Sequence, residues 1–148
     1  RRVSAMQALT EDAVQRGGTV AAGGKKIGST GNFWAPTVLA DVPLSANVFH
    51  EEPFGPIAVL DTFDDLDEAI ARANALPYGL AAYAFTNDLR AATKLADALD
   101  AGMVGINHFG VSQPETPFGG VKASGVGHES GLEGLLACTE VKLVSIAA

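Results

Sequence analysis

The chain has 148 residues, 47% hydrophobic and 18% charged, with a formal net charge of -7, a pI near 4.8 and a mean hydropathy of +0.19. That length and apolar share predict a domain with a real core and not a disordered chain, while ten scattered Lys and Arg argue against a nucleic-acid surface, which needs clustered cations. No apolar run approaches the roughly 18 to 20 residues that cross a bilayer, and no charged-then-apolar leader opens the chain, so a cytoplasmic setting without a membrane partner is expected.

Arg1-Arg2-Val3 opens the sequence without an initiator Met, inside what reads as a helix already under way, and this points to a piece of a longer chain. Val3, Met6, Leu9 and Ala13 recur at helical spacing, and Gly17-Gly18 supplies a glycine stop. Thr19 to Ala22 is short enough for a strand, with Gly23, Gly24, Gly28 and Gly31 marking turns. Phe33 to Leu39 reads as strand or extended chain; Pro36 within it argues for an edge or a break, because proline cannot donate to a ladder. From Ile57 the pattern is regular. Ile57 to Phe63 predicts a strand, Asp64 a cap, and Leu66, Ala69, Ile70 and Ala73 the apolar face of a helix closed by Pro77. Leu80 to Phe85 is the next strand, followed by a helix capped by Asn87, bearing Leu89, Ala92, Ala96 and Leu99 on one face and stopped by Gly102. Met103 to Ile106 is a third strand. This alternation predicts the α/β class, a parallel sheet covered by helices on both faces in a three-layer core.

Asn107 to Gly120 is a loop of about fourteen positions, longer than a connection needs. Glu129 to Leu136 predicts a short helix. Thr139 to Ile146 sets Val141, Leu143 and Ser145 against Glu140, Lys142 and Val144, a terminal strand with no partner left in the chain, expected to pair elsewhere.

Chemistry concentrates in His50-Glu51-Glu52-Pro53-Phe54-Gly55-Pro56, on the lip of the strand that starts at Ile57, where α/β proteins build ligand sites. Adjacent Glu51 and Glu52 point to opposite sides of extended chain, so they do not form the facing carboxylates of a glycosidase. A carboxylate suits a sugar diol and an aromatic ring suits a planar heterocycle; a solvated acid and a core Phe at a turn leading into a strand is the plainer alternative. Gly120 and Gly125 have the spacing of a phosphate loop, but Val126 stands where that loop needs its Lys. His50, His108 and His128 lack the pairing or the Cys neighbours of a zinc site, so no metal is expected and a structural or solvated role is the default; His108 alone has a loop position from which to touch a substrate. Cys138, the single cysteine, rules out an internal disulfide and suits a reducing compartment. It falls among Leu135, Leu136 and Ala137, an apolar setting in which free cysteines are buried and inert, so it is not expected to be a nucleophile.

Glu52-x-Phe54-Gly55-Pro56 resembles the cofactor-contacting motif of the aldehyde dehydrogenase superfamily, and Pro117-Phe118-Gly119-Gly120-Val121-Lys122-x-Ser124-Gly125 resembles that family's C-terminal signature. Their order and spacing extend the resemblance over essentially the whole chain. It implies the C-terminal part of an NAD(P)-dependent aldehyde dehydrogenase: residues 1–138 as part of the catalytic domain, residues 139–148 as an oligomerisation strand and tail, and a homo-oligomer as the assembled form. The cofactor implied is NAD or NADP, with Glu52 on the nicotinamide-ribose hydroxyls and Phe54 against the nicotinamide. No catalytic residue is assigned to this chain, because the family's nucleophilic Cys and general base lie upstream of the first motif. In the whole enzyme a thiolate adds to the aldehyde, a hydride passes to the cofactor and an activated water releases the acid; the chain alone is expected to be inactive.

The same resemblance implies that residues 107–113 line an aldehyde channel, making Ser112, His108 and Phe118 candidate substrate contacts. Many members place a ring at the position of Ser112, whereas succinate-semialdehyde dehydrogenases are similar in using a serine, with partner arginines elsewhere; a carboxylated aldehyde such as succinate semialdehyde is the implied substrate, with Ser112 as an ordinary loop hydroxyl the plainer alternative. Gly119 and Gly120 allow close backbone approach and Phe118 packs, while Lys122 and Ser124 receive no catalytic duty. The competing reading is a non-catalytic assembly or binding module of the same fold with Thr139 to Ile146 as its interface. A nearer rival is an acylating or phosphate-reducing relative.

Overall fold

The computed structural model describes residues 1–147 and divides into two compact units, Arg1–Asp64 and a second beginning at Asp65.

In the first unit, helix α1 (Arg2–Gln15) buries Met6, Leu9, Thr10 and Ala13. The polar member of that stripe, Thr10, satisfies itself by donating its hydroxyl to the Met6 carbonyl at 2.8 Å, the back-bond open to a helical threonine. Gly17 ends the helix at φ +104°, a conformation side chains resist. Strands β1 (Thr19–Ala22), β2 (Thr37–Ala40) and β3 (Ile57–Leu60) form one sheet in that order. β1 runs antiparallel to β2, and β2 parallel to β3 with Thr37 opposite Ile57 and Ala40 opposite Leu60. Pro36 lies just before β2 and not within it, so its missing N–H costs the central strand nothing. The core is Ala13, Leu39, Val42, Ala46 and Val48, with Ile57 and Val59 packed against it. Alternate residues Ala58 and Leu60 of β3 are exposed. Thr37, 2% exposed, locks the β1–β2 connection: its Oγ1 accepts from the Gly24 amide (2.9 Å) and Trp34 Nε1 (3.0 Å) and donates to the Ala35 carbonyl (2.7 Å).

The second unit contains α2 (Leu66–Ala73), β4 (Tyr78–Gly79), β5 (Ala81–Ala84), α3 (Leu89–Ala98), β6 (Met103–Ile106), β7 (Val121–Lys122) and α4 (Gly131–Ala137). Asp65 caps α2, accepting from the Asp67 and Glu68 amides, and Asp88 caps α3, accepting from Arg90; each cap falls one residue after the Asp64 and Asn87 that the sequence suggested. β5 and β6 pair in parallel from Ala81 opposite Met103 to Ala84 opposite Ile106, joined through α3 as a βαβ unit. β4 pairs antiparallel with β7. Asn74 ties the end of α2 to the end of α3, donating to the Ala98 carbonyl at 2.7 Å and accepting from the Asp100 amide at 2.8 Å. Lys94 and Asp67 form an ion pair between the two helices.

The α/β class and its parallel pairing are therefore present, in separate sheets and not in one continuous ladder. Residues 139–147 carry no strand and are exposed throughout; a strand that forms only against another chain's edge needs that edge to be present. One expectation needs correction. Cys138 is exposed, at the C-cap of α4, because Leu132, Leu135 and Leu136 around it are themselves more than half exposed.

Candidate functional site

The loop before β3 is prepared by a 3-10 turn, Asn47–Phe49. The first amide of such a turn has no partner within it, and here Asn47 N–H donates to Asp12 Oδ2 of α1 at 2.8 Å. The other oxygen of the carboxylate, Oδ1, accepts from Arg16 Nε at 2.8 Å. The Asn47 amide first, and the Arg16 hydrogen bond and charge after it, hold the Asp12 carboxyl below its ordinary range against a smaller opposing effect of desolvation. The Asn47 carbonyl accepts from both His50 (2.9 Å) and Glu51 (2.8 Å) amides, and Phe54 N–H closes on the Glu52 carbonyl at 2.8 Å. The His50 ring is turned onto the Leu44 carbonyl through Nε2 at 2.9 Å, away from a ligand role.

Within this chain Glu52 is exposed and Phe54 is 63% exposed. The Arg2 guanidinium stands 4.7 Å above the Phe54 ring centre. Beside the ring opens a cavity of about 220 Å³ walled by Arg2, Met6, Phe33, Trp34 and Pro56. Gly55 packs closely in this wall: a Cβ there would overlap Met6 Sδ unless the thioether shifted.

In the second unit Phe118 is half-buried and exchanges both backbone hydrogen bonds with Glu129 at 2.7 Å. With Leu80, Ser124 and His128 it lines a cavity of about 240 Å³. Gly119 and Gly120 are buried and do allow close approach: a Cβ at Gly102 would overlap the Gly119 carbonyl, and one at Gly120 would meet Ser124 Cβ at 2.5 Å. His108 and Ser112 are exposed; neither lines the cavity beside Phe118. His108 Nδ1 accepts from the Gly110 amide at 3.1 Å. Their loop starts from Asn107, at φ +62°, whose side chain accepts from the Thr86 amide (2.8 Å) and donates to the Thr86 carbonyl (2.9 Å). Phe109 then folds back between Tyr83 and Phe85, ring centres 5.3 and 5.1 Å away in tilted geometry.

The structure thus gathers Glu52 and Phe54 on one loop and Phe118 with His128 on one cavity wall. It leaves His108 and Ser112 on an exposed loop. Sequence reasoning missed Arg2, Asp12 and Phe109, and gave Lys122 and Ser124 no duty. Lys122 Nζ donates to the Asn74 (3.0 Å) and Leu76 (3.2 Å) carbonyls and pairs with Asp100 at 2.7 Å, so it neutralises the carbonyl end of α2. Ser124 Oγ accepts from the Gly79 amide at 2.9 Å. A lone cation after a glycine pair was the available signal for Lys122. Among the described residues no group of three or more His, Cys, Asp or Glu is placed to hold a metal ion, and no helix is long and apolar enough to cross a membrane.

The framework is α/β, with a carboxylate and a ring displayed just before a strand that pairs in parallel. The aldehyde dehydrogenase family model matches residues 1–144, and the chain belongs to that family. It is 49% identical over 146 residues to the 4-(hydroxymethyl)benzenesulfonate dehydrogenase of Comamonas testosteroni, covering 96% of this chain and 30% of that protein. It is 48% identical over 139 residues to the NADP(+) succinate-semialdehyde dehydrogenase of Deinococcus radiodurans, covering 94% and 29%. The crystal structure of succinate-semialdehyde dehydrogenase from Burkholderia pseudomallei superposes with a TM-score of 0.87 at 39% identity, over 90% of this chain and 28% of that one. The chain spans about 30% of the length of the curated relatives it matches.

Proposed function

We propose that this chain supplies the cofactor-holding and substrate-lining part of an NAD(P)-dependent aldehyde dehydrogenase that oxidises a small aldehyde to its acid. The observation that carries the reading is the surface placement of Glu52 and Phe54 together, beside an aromatic-walled cavity. An exposed carboxylate accepts from two neighbouring hydroxyls and an exposed ring offers a flat apolar face, so these residues fit a nicotinamide riboside. That group, when bound, supplies the hydride acceptor. The chain's own contribution is to orient it: Glu52 fixes the ribose and Phe54 limits where the ring lies, and losing such positioning costs on the order of 100-fold in rate.

The test is Glu52→Gln in the full-length enzyme, which keeps the size and loses the charge. The Michaelis constant for NAD(P) should rise and turnover fall, with the constant for the aldehyde unchanged. An unaltered cofactor constant together with unaltered turnover removes the assignment.

The substrate we infer is an aldehyde with an anionic group at its far end, with Ser112, His108 and Phe118 as contacts from this chain. Support comes from an exposed hydroxyl in the loop after β6 and from relatives named for a sulfonate and for succinate. Succinate semialdehyde, an uncharged aldehyde of equal length and a sulfonated benzaldehyde, offered to the full-length enzyme, should separate by kcat/KM with the uncharged one slowest. Equal values for all three remove the preference. On this reading residues 1–138 are part of a catalytic domain, residues 139–148 an oligomerisation segment of a cytoplasmic homo-oligomer, and the chain alone is inactive because the nucleophile and base belong to the rest of the enzyme.

A further inference from the structure

We infer that α1 is the positioning element of the cofactor loop, fixing residues 47–55 at three places along its length: Arg2 on the Phe54 ring, Met6 beneath Gly55, and Asp12 on the Asn47 amide. This rests on reading Glu52 and Phe54 as the cofactor grip. From Arg2 to Asp12 the helix rises about 15 Å, long enough to reach both ends of a loop whose first part is also anchored by Val48 in the core and by the His50 ring on the Leu44 carbonyl, while Glu52 to Gly55 depend on α1 and on the junction with β3. Each hold acts on a different degree of freedom. Asp12 sets the tilt of the 3-10 turn through its first amide, and the Asn47 carbonyl passes that tilt to the His50 and Glu51 amides, next to Glu52. Met6, 2% exposed, fixes the height of the chain at Gly55, which packs directly on the thioether because it has no Cβ. Arg2 sets the plane of a ring that is 63% exposed and would otherwise turn freely in solvent.

Neither Asp12 nor Arg2 belongs to the apolar core of the first unit, which is built from Ala13, Leu39, Val42, Ala46 and Val48. Arg2 meets the Phe54 ring, and Asp12 divides its carboxylate between the Asn47 amide and Arg16 of its own helix. Sub-ångström placement of a cofactor is worth far more in rate than in stability, so removing either hold should be felt first by the cofactor.

The experiment uses the full-length enzyme with Asp12→Ala, Asp12→Asn and Arg2→Gln, set beside Glu52→Gln and Phe54→Leu. Asp12→Ala should raise the Michaelis constant for NAD(P) about tenfold and leave the aldehyde constant, measured at saturating cofactor, unchanged. Asp12→Asn, whose side-chain oxygen still accepts from the Asn47 amide, should recover most of the loss, which a general structural defect would not. Asp12→Ala combined with Glu52→Gln should cost less than the two separate effects multiplied, because one acts through the other. Should Asp12→Ala fail to fold, the exposed Arg2→Gln carries the test with the same expected split. If Glu52→Gln and Phe54→Leu shift the cofactor constant while Asp12→Ala and Arg2→Gln do not, the cofactor reading stands and the positioning role of α1 is overturned. If none of the four moves it, both fall together.

Discussion

Asp12 makes the case for reading single residues by what both ends of a side chain touch. Its two oxygens serve different partners, the Asn47 amide and Arg16, and both favour the ionised form. A carboxyl whose folded pKa lies below its unfolded one stabilises the fold fully above the ordinary value of 3.8, and that contribution is lost as pH falls through the folded value. Melting temperatures of the wild type and Asp12→Asn should therefore converge on acidification below 3.8; curves that stay parallel would show that the carboxylate adds nothing. Thr37 poses the neutral version of the problem. Thr37→Val keeps the shape and strands two part-buried donors, Gly24 N–H and Trp34 Nε1–H, at a combined cost of about 1–3 kcal/mol. Urea unfolding should show a loss in that range for Thr37→Val and a smaller one for Thr37→Ser. Glu52 and Phe54 could be singled out in the sequence as candidates because they sit two positions apart in a contiguous motif. The Asp12 contact was not, because its partner lies 35 residues away and no local pattern encodes a long-range amide.

Helices and strands were legible where the signal is local. The apolar stripe of α1 and the βαβ alternation from β5 to β6 follow from spacing alone. Caps slipped by one residue because Asp64-Asp65 and Asn87-Asp88 each offer two good capping side chains in succession; Asp65 and Asp88 are the ones with extended backbone and an oxygen that reaches the first free amides. What joins elements was not legible. The Phe118-Gly119-Gly120 turn is set by β7, whose Lys122 reaches three acceptors on Asn74, Leu76 and Asp100. Lys122 is partly exposed, so Lys122→Ala should cost about 1–2 kcal/mol rather than the full value of a buried charge. It should also raise the aldehyde constant of the full-length enzyme more than the cofactor constant, because the turn carries Phe118. Lys122→Arg should not restore it, since a planar fork does not reproduce three radiating donors. Equal shifts in both constants would place Lys122 in general stability alone.

At the scale of the whole molecule the dominant fact is apolar surface without a cover. α3 has an apolar face yet buries no residue, Leu89 is 80% exposed, and the segment after α4 presents Val141, Leu143 and Ile146 at 103%, 90% and 87%. Surface of this kind drives association, and a segment of alternating apolar and polar residues becomes a strand once an edge is offered to it. Residues 139–146 alternate apolar and polar side chains, and within this chain they are exposed and carry no strand. The 148-residue chain should accordingly sediment as a dimer or larger at micromolar concentration, with amide-I infrared absorption showing strand content that rises with concentration. Replacing Val141, Leu143 and Ile146 by Ser should remove the strand gain and weaken association, because Val141 and Leu143 on one face of an extended segment and Ile146 on the other are its most exposed apolar side chains. A monomer mass that does not change with concentration would count against association altogether. Association that survives the triple replacement would transfer it to α3, whose Leu89 and neighbours remain uncovered.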